Sequence, residues 1–527
     1  MRSQHVSLLA LAACGVAVVF GCGGGGSQTA PDGAAPPDGA TATGGDAGTT
    51  IGDARPMDTP PLGTNVVVHL VPRAGVSGMM RVNFAVPLAP GQLSDPASVR
   101  VLLGGAETPS ARRALARHPD GSVRSVQVQI DVAIAGESDA TVEIGQAGTA
   151  GDIPMMPVAD TLNPADGTAG PRVWALLPAR WLSGSGVAGP QVPEADVAGT
   201  PLDAWRTLCD YAEYDVTNFI GQMSDTAVWL FDRGTTAYRG YARRGDLLTL
   251  ETAYRETAIY RAGITGTGTA TRIPIAPDDA KYHYTQNMAI HYLLSGDDRF
   301  REAAEAVGRR TAVVWPSPGY AGGEDFWTER SAGFGLLAFV WAMIVSDDAA
   351  AEFRALADAA VTAHLEDQEL YPVGYADTQA RCFAHSAEAH SEGFGYWGCS
   401  PWMSAILADG LDAYATERGG AQAAAARASL VKLAREIARD GLDPSGKPYY
   451  WMGVGDGQGE VDDYDEHWGE PAYVVALGWY HAGRNDSALE DVARGLVAGL
   501  AANGGAPHMR SFNWQCRSAV ATAFYLQ

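Results

Sequence analysis

The sequence predicts a multidomain α+β protein in which a small antiparallel β-sandwich or barrel precedes an (α/α)6 toroid. Three observations lead to this prediction. Residues 65–148 contain short runs with alternating apolar and polar residues, which is typical of antiparallel strands. Residues 203–527 contain pairs of amphipathic helical runs joined by short polar breaks. The 527 residues are also too many for one ordinary hydrophobic core.

The N-terminus is typical of an exported bacterial protein. Arg2 precedes the apolar run 6–20, which is too short to span a bilayer and matches a signal peptide. If this segment is a plain cleaved secretory signal, the protein is exported without an anchor. If it ends in a lipobox, a motif whose cysteine receives lipid, the exported protein also carries a lipid anchor. No later segment has the length of a transmembrane helix, so we expect membrane contact only through such an anchor.

The lipid anchor depends on which cysteine ends the signal. Cys22 follows Val19-Phe20-Gly21, which resembles the bacterial lipobox. Cys14 fits that pattern better locally, but it leaves a very short apolar region. We therefore predict a lipoprotein signal over 1–22 with lipidation at Cys22, and location at the cell surface or the periplasmic face of the outer membrane. Residues 23–64, rich in Gly, Ala and Pro, are expected to form a disordered tether.

Charge and composition narrow the class of partner. The formal net charge is -24, which argues against binding to nucleic acid or to an anionic membrane surface. Hydrophobic residues make up 46% of the chain and charged residues 19%, which is ordinary for a globular protein. We therefore expect no nucleic-acid partner.

The predicted β-domain spans 65–148 and is followed by a linker over 149–202. Its strand-like runs are 66–70, 81–86, 99–103 and 123–132. The last run alternates strictly, which predicts one buried face and one solvated face. A tight turn at Pro119-Asp120-Gly121 precedes it.

This β-domain resembles that of a known family. Val86-Pro87-Leu88, Leu93-Ser94-Asp95, Val99-Arg100-Val101-Leu102 and the run 117–124 are similar to the N-terminal β-domain of exo-acting rhamnogalacturonan lyases and related secreted proteins. The resemblance covers only this domain. It implies that an (α/α) toroid follows, as in toroid polysaccharide lyases generally.

The helical half divides into hairpins. Pairs of amphipathic runs lie near 226–263, 282–314, 326–368, 401–441 and 466–502, and helices near 203–214 and 510–526 would form the remaining pair. Six hairpins that cover each other's apolar faces predict an (α/α)6 toroid, with a superhelical solenoid as the alternative. Unpaired terminal helices favour closure into a ring.

The candidate site lies at the end of the ring from which the inner helices start. The segments before these helices are rich in aromatic, imidazole and amide groups, as in the run 282–294, whereas the opposite turns carry simple Asp, Gly and Arg residues. Aromatic platforms with scattered polar groups suit sugar rings. The predicted catalytic residues are His283, Tyr284, Asn287, Arg330, His390 and His467. The predicted substrate-binding residues are Tyr282, Trp327, Glu329, His385, Tyr396, Trp397, Trp468, Trp514 and Arg517.

These groups favour a polysaccharide lyase that acts on a uronate-containing glycan. β-Elimination needs a base for the proton α to the carboxylate, a group that neutralises the carboxylate, and an acid for the leaving oxygen. His283 or His390 would be the base and Tyr284 the acid, while Arg330 and Asn287 would hold the carboxylate. This set resembles what toroid lyases use.

Two other functions remain open. A glycoside hydrolase would need two carboxylates across the glycosidic bond, and Glu329, Asp465, Glu466 and Glu470 are available for it. A surface-tethered toroid that only captures glycans is the non-enzymatic alternative. Turnover on a polysaccharide panel distinguishes the three.

No cofactor is expected, although a divalent cation is an open alternative. His385 and His390 with Asp377 or His467 would be its ligands, but their spacing matches no tight motif.

Four cysteines remain after the signal, and an exported compartment permits disulfides. None forms a CxxC spacing, which disfavours a zinc-thiolate site. If the terminal helices close the ring, Cys209 pairs with Cys516, and Cys382 then pairs with Cys399.

Overall fold

The computed structural model describes residues 62–163, 169–316, 318, 327–386, 394–455, 457–463, 466–504 and 508–527. Within them the fold is mixed α+β, with antiparallel sheets followed by a helical region. The strands are β1 (Asn65–Pro72), β2 (Gly78–Pro87), β3 (Val99–Leu103), β4 (Ala106–Thr108), β5 (Ser110–Ala114), β6 (Ser125–Ile134), β7 (Ser138–Ile144), β8 (Val173–Leu176), β9 (His385–Ser386), β10 (Trp397–Cys399), β11 (Tyr449–Gly453) and β12 (Gly459–Val461).

The helical region contains the five hairpins that the sequence predicts and short helices at both ends. The helices are α1 (Ala179–Ser185), α2 (Glu194–Val197), α3 (Ala204–Leu208), α4 (Val216–Gln222), α5 (Arg233–Arg244), α6 (Leu247–Ala262), α7 (Gln286–Ser295), α8 (Asp298–Val314), α9 (Glu329–Val345), α10 (Ala350–Leu370), α11 (Ser404–Arg418), α12 (Gly420–Asp440), α13 (Gly469–His481), α14 (Ser487–Asn503), α15 (Met509–Arg517) and α16 (Thr522–Tyr525).

The N-terminal strands form two antiparallel sheets. One has the order β4-β3-β7-β1-β8 and the other the order β2-β6-β5. Strand β8 lies in the stretch interpreted as a linker from the sequence, and it pairs with the second half of β1. The described residues from 62 onward belong to one compact unit, in which the sheets and the helices share a core.

Strand β6 was predicted to have one buried face and one solvated face, but in the structure its polar face is buried as well. Ser125 and Gln127 are both almost inaccessible to solvent. The Ser125 hydroxyl donates to the Leu293 carbonyl at 2.6 Å, and Asn83 of β2 donates to the Ser295 carbonyl at 2.7 Å. These carbonyls belong to the last turn of α7, where no intrahelical donor is available. The polar face of the sheet therefore caps a helix instead of facing water.

The polar breaks inside the hairpins end one helix and start the next. Gly245 takes the left-handed conformation after α5 (φ 66°), and the Asp246 side chain accepts the N–H of Thr249 at the start of α6. Gly296 and Asp297 do the same between α7 and α8. A glycine C-cap followed by an aspartate N-cap satisfies the backbone groups that each helix end exposes.

The first helices of successive hairpins pack against each other. Helix α5 contacts α7, α7 contacts α9, α9 contacts α11, and α11 contacts α13. Each of them also packs against its own hairpin partner, and α15 returns to contact α5.

Both predicted disulfides are confirmed. Cys209, just after α3, is bonded to Cys516 of α15 with a Cα–Cα distance of 5.7 Å. Cys382 is bonded to Cys399 of β10 with a Cα–Cα distance of 6.4 Å. The first bond links segments separated by 307 residues, so it joins the two ends of the helical region.

A third sheet, with the order β12-β11-β10-β9, was not anticipated from the sequence. Its strands are short, and they lie in the segments around α11 and before α13. None of the described helices is long and apolar enough to cross a membrane.

Candidate functional site

Three rings near the starts of the first helices of the hairpins lie in contact, and two of them are stacked. Trp402 precedes α11, His467 precedes α13, and Trp514 lies in α15. The rings of Trp402 and His467 are parallel within 8° at a centroid distance of 4.2 Å, and Trp514 lies 5.0 Å from His467. Tyr450 of β11 lies 5.8 Å from Trp402. We call Trp402, Tyr450, His467 and Trp514 the aromatic cluster.

His467 is positioned by acidic residues on both sides. The Asp462 carboxylate accepts the backbone N–H groups of Glu466 and His467 at 3.0 and 3.2 Å. The His467 Nδ1 atom lies 3.5 Å from Oε1 of Glu470, one turn further along. No described residue hydrogen-bonds to Nε2. A carboxylate beside Nδ1 favours the tautomer with its proton there, which leaves Nε2 able to accept a proton.

Glu470 has an environment that opposes its charge. It is 2% exposed, and burial raises the pKa of its carboxyl, while the hydrogen bond from His467 partly offsets this rise. Its Oε2 atom is buried and has no hydrogen-bond partner within the described ranges. Glu470 is therefore a buried carboxyl that lies beside the His467 imidazole.

Arg330 supplies a cation beside the aromatic cluster. It lies in the first turn of α9, half-buried, with its Cζ atom 5.9 Å from the centre of the Trp402 ring. Burial lowers the pKa of Arg330, although Asp279, Tyr450 and Tyr282 act in the opposite direction. No residue in the described part of the chain forms a hydrogen bond or ion pair with its guanidinium. A half-buried guanidinium without a hydrogen bond or ion pair is costly and suits an anionic ligand, although the Asp279 and Glu329 carboxylates lie close enough to favour its charge.

Tyr282 lies close to this cation. It is 7% exposed, and burial raises the pKa of its phenol, while the charge of Arg330 lowers it. The Tyr282 carbonyl accepts the hydroxyl of Tyr260 at 2.8 Å, which fixes the backbone at this point. The structure thus places Arg330, His467 and Trp514 around Trp402, with Tyr282 close to Arg330.

His283 does not join this group. It is buried, and its Nε2 atom lies 3.2 Å from the Pro277 carbonyl while Nδ1 lies 2.9 Å from the Thr311 hydroxyl. Because a carbonyl only accepts, Nε2 carries the proton, and Nδ1 faces the Thr311 hydroxyl, which also donates to the Val307 carbonyl. Burial lowers the pKa of His283 to about 4. Both nitrogens are therefore occupied within the fold.

Tyr284 and Asn287 are also engaged inside the protein. The Tyr284 hydroxyl donates to the Trp229 carbonyl at 2.7 Å, and burial holds its pKa well above the ordinary value. Asn287 donates to Asp232 at 2.8 Å, and Asp232 caps α5. Both residues are 2% exposed. These contacts connect α7 to the segment before α5.

Glu329 and His385 form a fully buried pair. The His385 Nε2 atom lies 2.7 Å from Glu329 Oε2, and the other carboxylate oxygen accepts the Ser400 N–H at 2.7 Å. Trp327 covers His385 at a ring distance of 5.2 Å and is itself buried. Glu329 therefore holds β9 and the end of β10 against α9, directly beside Arg330.

The remaining predicted substrate-binding residues separate into surface and interior positions. The half-buried Tyr396 donates to Glu460 at 3.1 Å, and the ring of Trp397 stacks on Tyr371 at 5.0 Å. Trp468 is 7% exposed and packs over Gly499 of α14, where a Cβ would lie 2.1 Å from its ring.

Arg517 lies in the interior. It is fully buried, and it donates to Asp409 of α11 at 2.8 Å and to Gln286 of α7. Arg239 of α5 donates to both oxygens of the same Asp409 carboxylate at 2.9 Å. Burial alone would raise the pKa of Asp409, but the two arginines hold it below its ordinary value. Arg517 thus connects helices rather than facing the aromatic cluster.

Some predicted residues lie outside the described residues. They are His390, Asp465 and the lipidation position Cys22. Of the other groups considered for a cation, His385 is occupied by Glu329 and Asp377 is paired with Arg439 at 2.6 Å. Three carboxylates elsewhere, Glu305, Asp347 and Asp348, lie close together, and this cluster alone indicates no function.

The comparisons with known proteins give no family for this chain. No protein-family model, no curated protein and no solved structure matches it. Sequence reasoning had not assigned roles to Tyr450, Asp462 or Asp279. For Tyr450, the available sequence signal was the run Tyr449-Tyr450-Trp451, because aromatic residues are enriched in strands.

Proposed function

We propose that this protein is a carbohydrate-active enzyme, a polysaccharide lyase that cleaves a uronate-containing glycan by β-elimination. The observation that carries the proposal is Arg330, a half-buried cation without a hydrogen bond or ion pair among the described residues, beside the stacked rings of Trp402 and His467. A sugar ring stacks on aromatic faces, and a uronate adds the carboxylate that such a cation binds.

The proposed base is Nε2 of His467. Arg330 pairs with the uronate carboxylate and stabilises the negative charge that develops when the α proton leaves. Nε2 takes that proton, a carbon–carbon double bond forms, and the bond from the β carbon to the glycosidic oxygen breaks. The leaving oxygen takes a proton from a phenol, either Tyr282 or Tyr450. Glu470 supports the imidazolium that results.

This assignment changes the roles expected from the sequence. His283 and Tyr284 have their polar atoms occupied by Pro277, Thr311 and Trp229, so they support the segment before α7. Arg330 keeps the predicted role. His467, predicted to be catalytic but without an assigned step, becomes the base.

We further propose that the hairpins form an (α/α)6 toroid and that the two N-terminal sheets form a sandwich. The order of contacts from α5 to α13 and the contact of α15 with α5 support a ring. The Cys209–Cys516 bond between the ends of the region supports it too. The two disulfides also support export, since they persist in oxidising compartments. Lipidation at Cys22 remains part of this proposal.

A glycoside hydrolase is the second candidate, and Glu470 is the observation in its favour. Its pKa is raised by burial, as a general acid requires, and Oε2 lacks a described partner. A second carboxylate on the opposite side of the sugar would complete the pair. A surface protein that only captures glycans is the third candidate.

The test is turnover of acidic and neutral polysaccharides by the purified chain. A lyase gives products that absorb in the ultraviolet because they contain an unsaturated uronate, together with new reducing ends. A hydrolase gives reducing ends without that absorbance. Binding without either product identifies a capture protein and overturns both enzyme assignments.

A further inference from the structure

A cavity lies between β1, α1 and the C-terminal residues. Its volume is about 510 Å³. Trp181 of α1, Tyr480 of α13 and Phe524 of α16 form an apolar wall, and Asn65, Val66 and Val67 of β1 line another side. A cavity of this size accommodates a small ligand or a few peptide residues.

The strand at this cavity has an open edge. β1 pairs with β7 from Asn65 onward, but with β8 only from His69. The Thr64 carbonyl accepts the Ile144 N–H at 2.6 Å, so even-numbered residues of this stretch face β7. Backbone groups alternate in direction along an antiparallel strand, and Asn65 and Val67 therefore direct their N–H and C=O groups towards the cavity.

Proline explains why this edge is open. The register between β1 and β8 pairs His69 with Leu176, and two residues further it would pair Val67 with Pro178. Proline has no N–H to donate to a ladder. The chain leaves the sheet there and starts α1, with Pro178 as its N-cap. The backbone groups of Asn65 and Val67 consequently have no hydrogen-bond partner among the described residues on that side.

A carboxamide at the same cavity is also unused. Gln191 lines it and is 2% exposed, yet neither Oε1 nor Nε2 hydrogen-bonds to a described residue. A carboxamide offers one acceptor and two donors, which match a peptide group. Leaving these buried polar atoms unpaired is unfavourable. Two independent features thus present groups complementary to a peptide backbone.

We propose that this cavity binds an extended peptide segment, which adds to the open edge of β1 and continues the sheet where β8 ends. Asn65 and Val67 supply the main-chain hydrogen bonds, Gln191 pairs with a peptide group of the ligand, and one apolar side chain of the ligand enters between Trp181, Tyr480 and Phe524. This is the recognition mode in which backbone pairing gives affinity and a pocket gives selectivity. The site is independent of the proposed reaction.

The test uses the full chain and blocked pentapeptides with threonine at positions one, three and five and valine or leucine at the other two. Hydrogen–deuterium exchange with mass spectrometry should show protection of the segment 62–68 when peptide is added. A pentapeptide N-methylated at its central residue should bind about tenfold more weakly, because it loses a ladder hydrogen bond.

Variants of β1 complete the test. Val67→Pro removes an N–H that faces the cavity but not β7, and it should abolish protection, whereas Val67→Thr keeps the N–H and should retain it. Melting curves establish that both variants fold. If no pentapeptide protects 62–68 at millimolar concentration, or if the N-methylated peptide binds equally well, the proposal is wrong. Protection by a neutral oligosaccharide, cellopentaose, in place of peptide would also overturn it.

Discussion

The guanidinium of Arg517 lies 2.8 Å from the carboxylate of Asp409, and neither group is accessible enough to be solvated. Arg517 belongs to α15 and Asp409 to α11, while Arg239 of α5 binds the same carboxylate. One buried acid therefore pairs with two cations from opposite ends of the helical sequence, and Asp232 also favours the charge of Arg517. Buried ionic groups are tolerated when each is paired and hydrogen-bonded, as they are here.

Replacement of Asp409 by Asn should strongly destabilise the protein. The change leaves two buried guanidinium groups without a full counter-charge, and the loss expected on breaking such a pair is about 3 to 5 kcal/mol. Urea unfolding followed by circular dichroism measures it. Glu490→Gln, which removes the partner of Arg494 in a largely exposed pair, should change stability by less than about 1 kcal/mol. Equal losses in the two variants would contradict this account.

The two disulfides should contribute unequally to stability. In the chain-entropy model a bond that closes 307 residues contributes about 5 to 6 kcal/mol, and one that closes 17 residues contributes about 3 kcal/mol. We expect Cys209→Ser/Cys516→Ser to lower the melting temperature more than Cys382→Ser/Cys399→Ser. A larger effect of the shorter loop would show that loop length does not govern the contribution.

His364 should make the protein sensitive to acid. Its ring lies between Trp315 and Trp327, and burial lowers its pKa from 6.5 to about 3. Because the folded-state pKa is the lower one, the unfolded chain binds more protons between these values. The stability contribution is therefore present above pH 6.5 and falls by about 1.4 kcal/mol per pH unit below it.

His364→Phe removes this titration while it keeps an aromatic ring at the site. The difference in unfolding free energy between variant and wild type should shift by about 3 kcal/mol in favour of the variant between pH 6.5 and 4.5. Urea titrations at the two pH values provide the measurement. If the difference in unfolding free energy between variant and wild type is the same at both pH values, His364 is protonated in the folded protein.

His467→Ala should abolish most of the proposed lyase activity without unfolding the protein. Loss of a general base reduces turnover by about 10²- to 10⁴-fold. Glu470→Gln should have a smaller effect on kcat and should change its pH profile, since it acts through His467. His69→Ala, at an exposed position on β1, is the matched control. If Glu470→Gln lowers kcat more than His467→Ala does, and the pH profile of kcat is unaltered, the hydrolase assignment replaces the lyase assignment.

Arg330→Gln should reduce kcat/KM for a uronate substrate by about 10²- to 10³-fold, because charge developing on the carboxylate loses its partner. Arg354→Gln, at an exposed position on α10, should leave kcat/KM unchanged. The comparison is made on a validated substrate, with melting temperatures measured in parallel. Full activity of Arg330→Gln would remove the observation on which the proposed function depends.

The sequence alone determined the class of fold, because periodicity and caps are local properties. Alternation predicted antiparallel strands, and five helical pairs appeared where amphipathic runs met polar breaks such as Gly245-Asp246 and Gly296-Asp297. It also predicted both disulfide pairings, since the expected closure of a ring would bring Cys209 to Cys516.

Only the tertiary structure decided which polar groups are free. His283, Tyr284, Glu329 and His385 look as reactive in the sequence as His467, yet each is occupied by a partner distant along the chain. The polar face of β6 is buried for the same reason, since it meets carbonyls at the end of α7. Whether a side chain is a structural link or an available reactant depends on its contacts in space, and no local sequence pattern encodes those contacts.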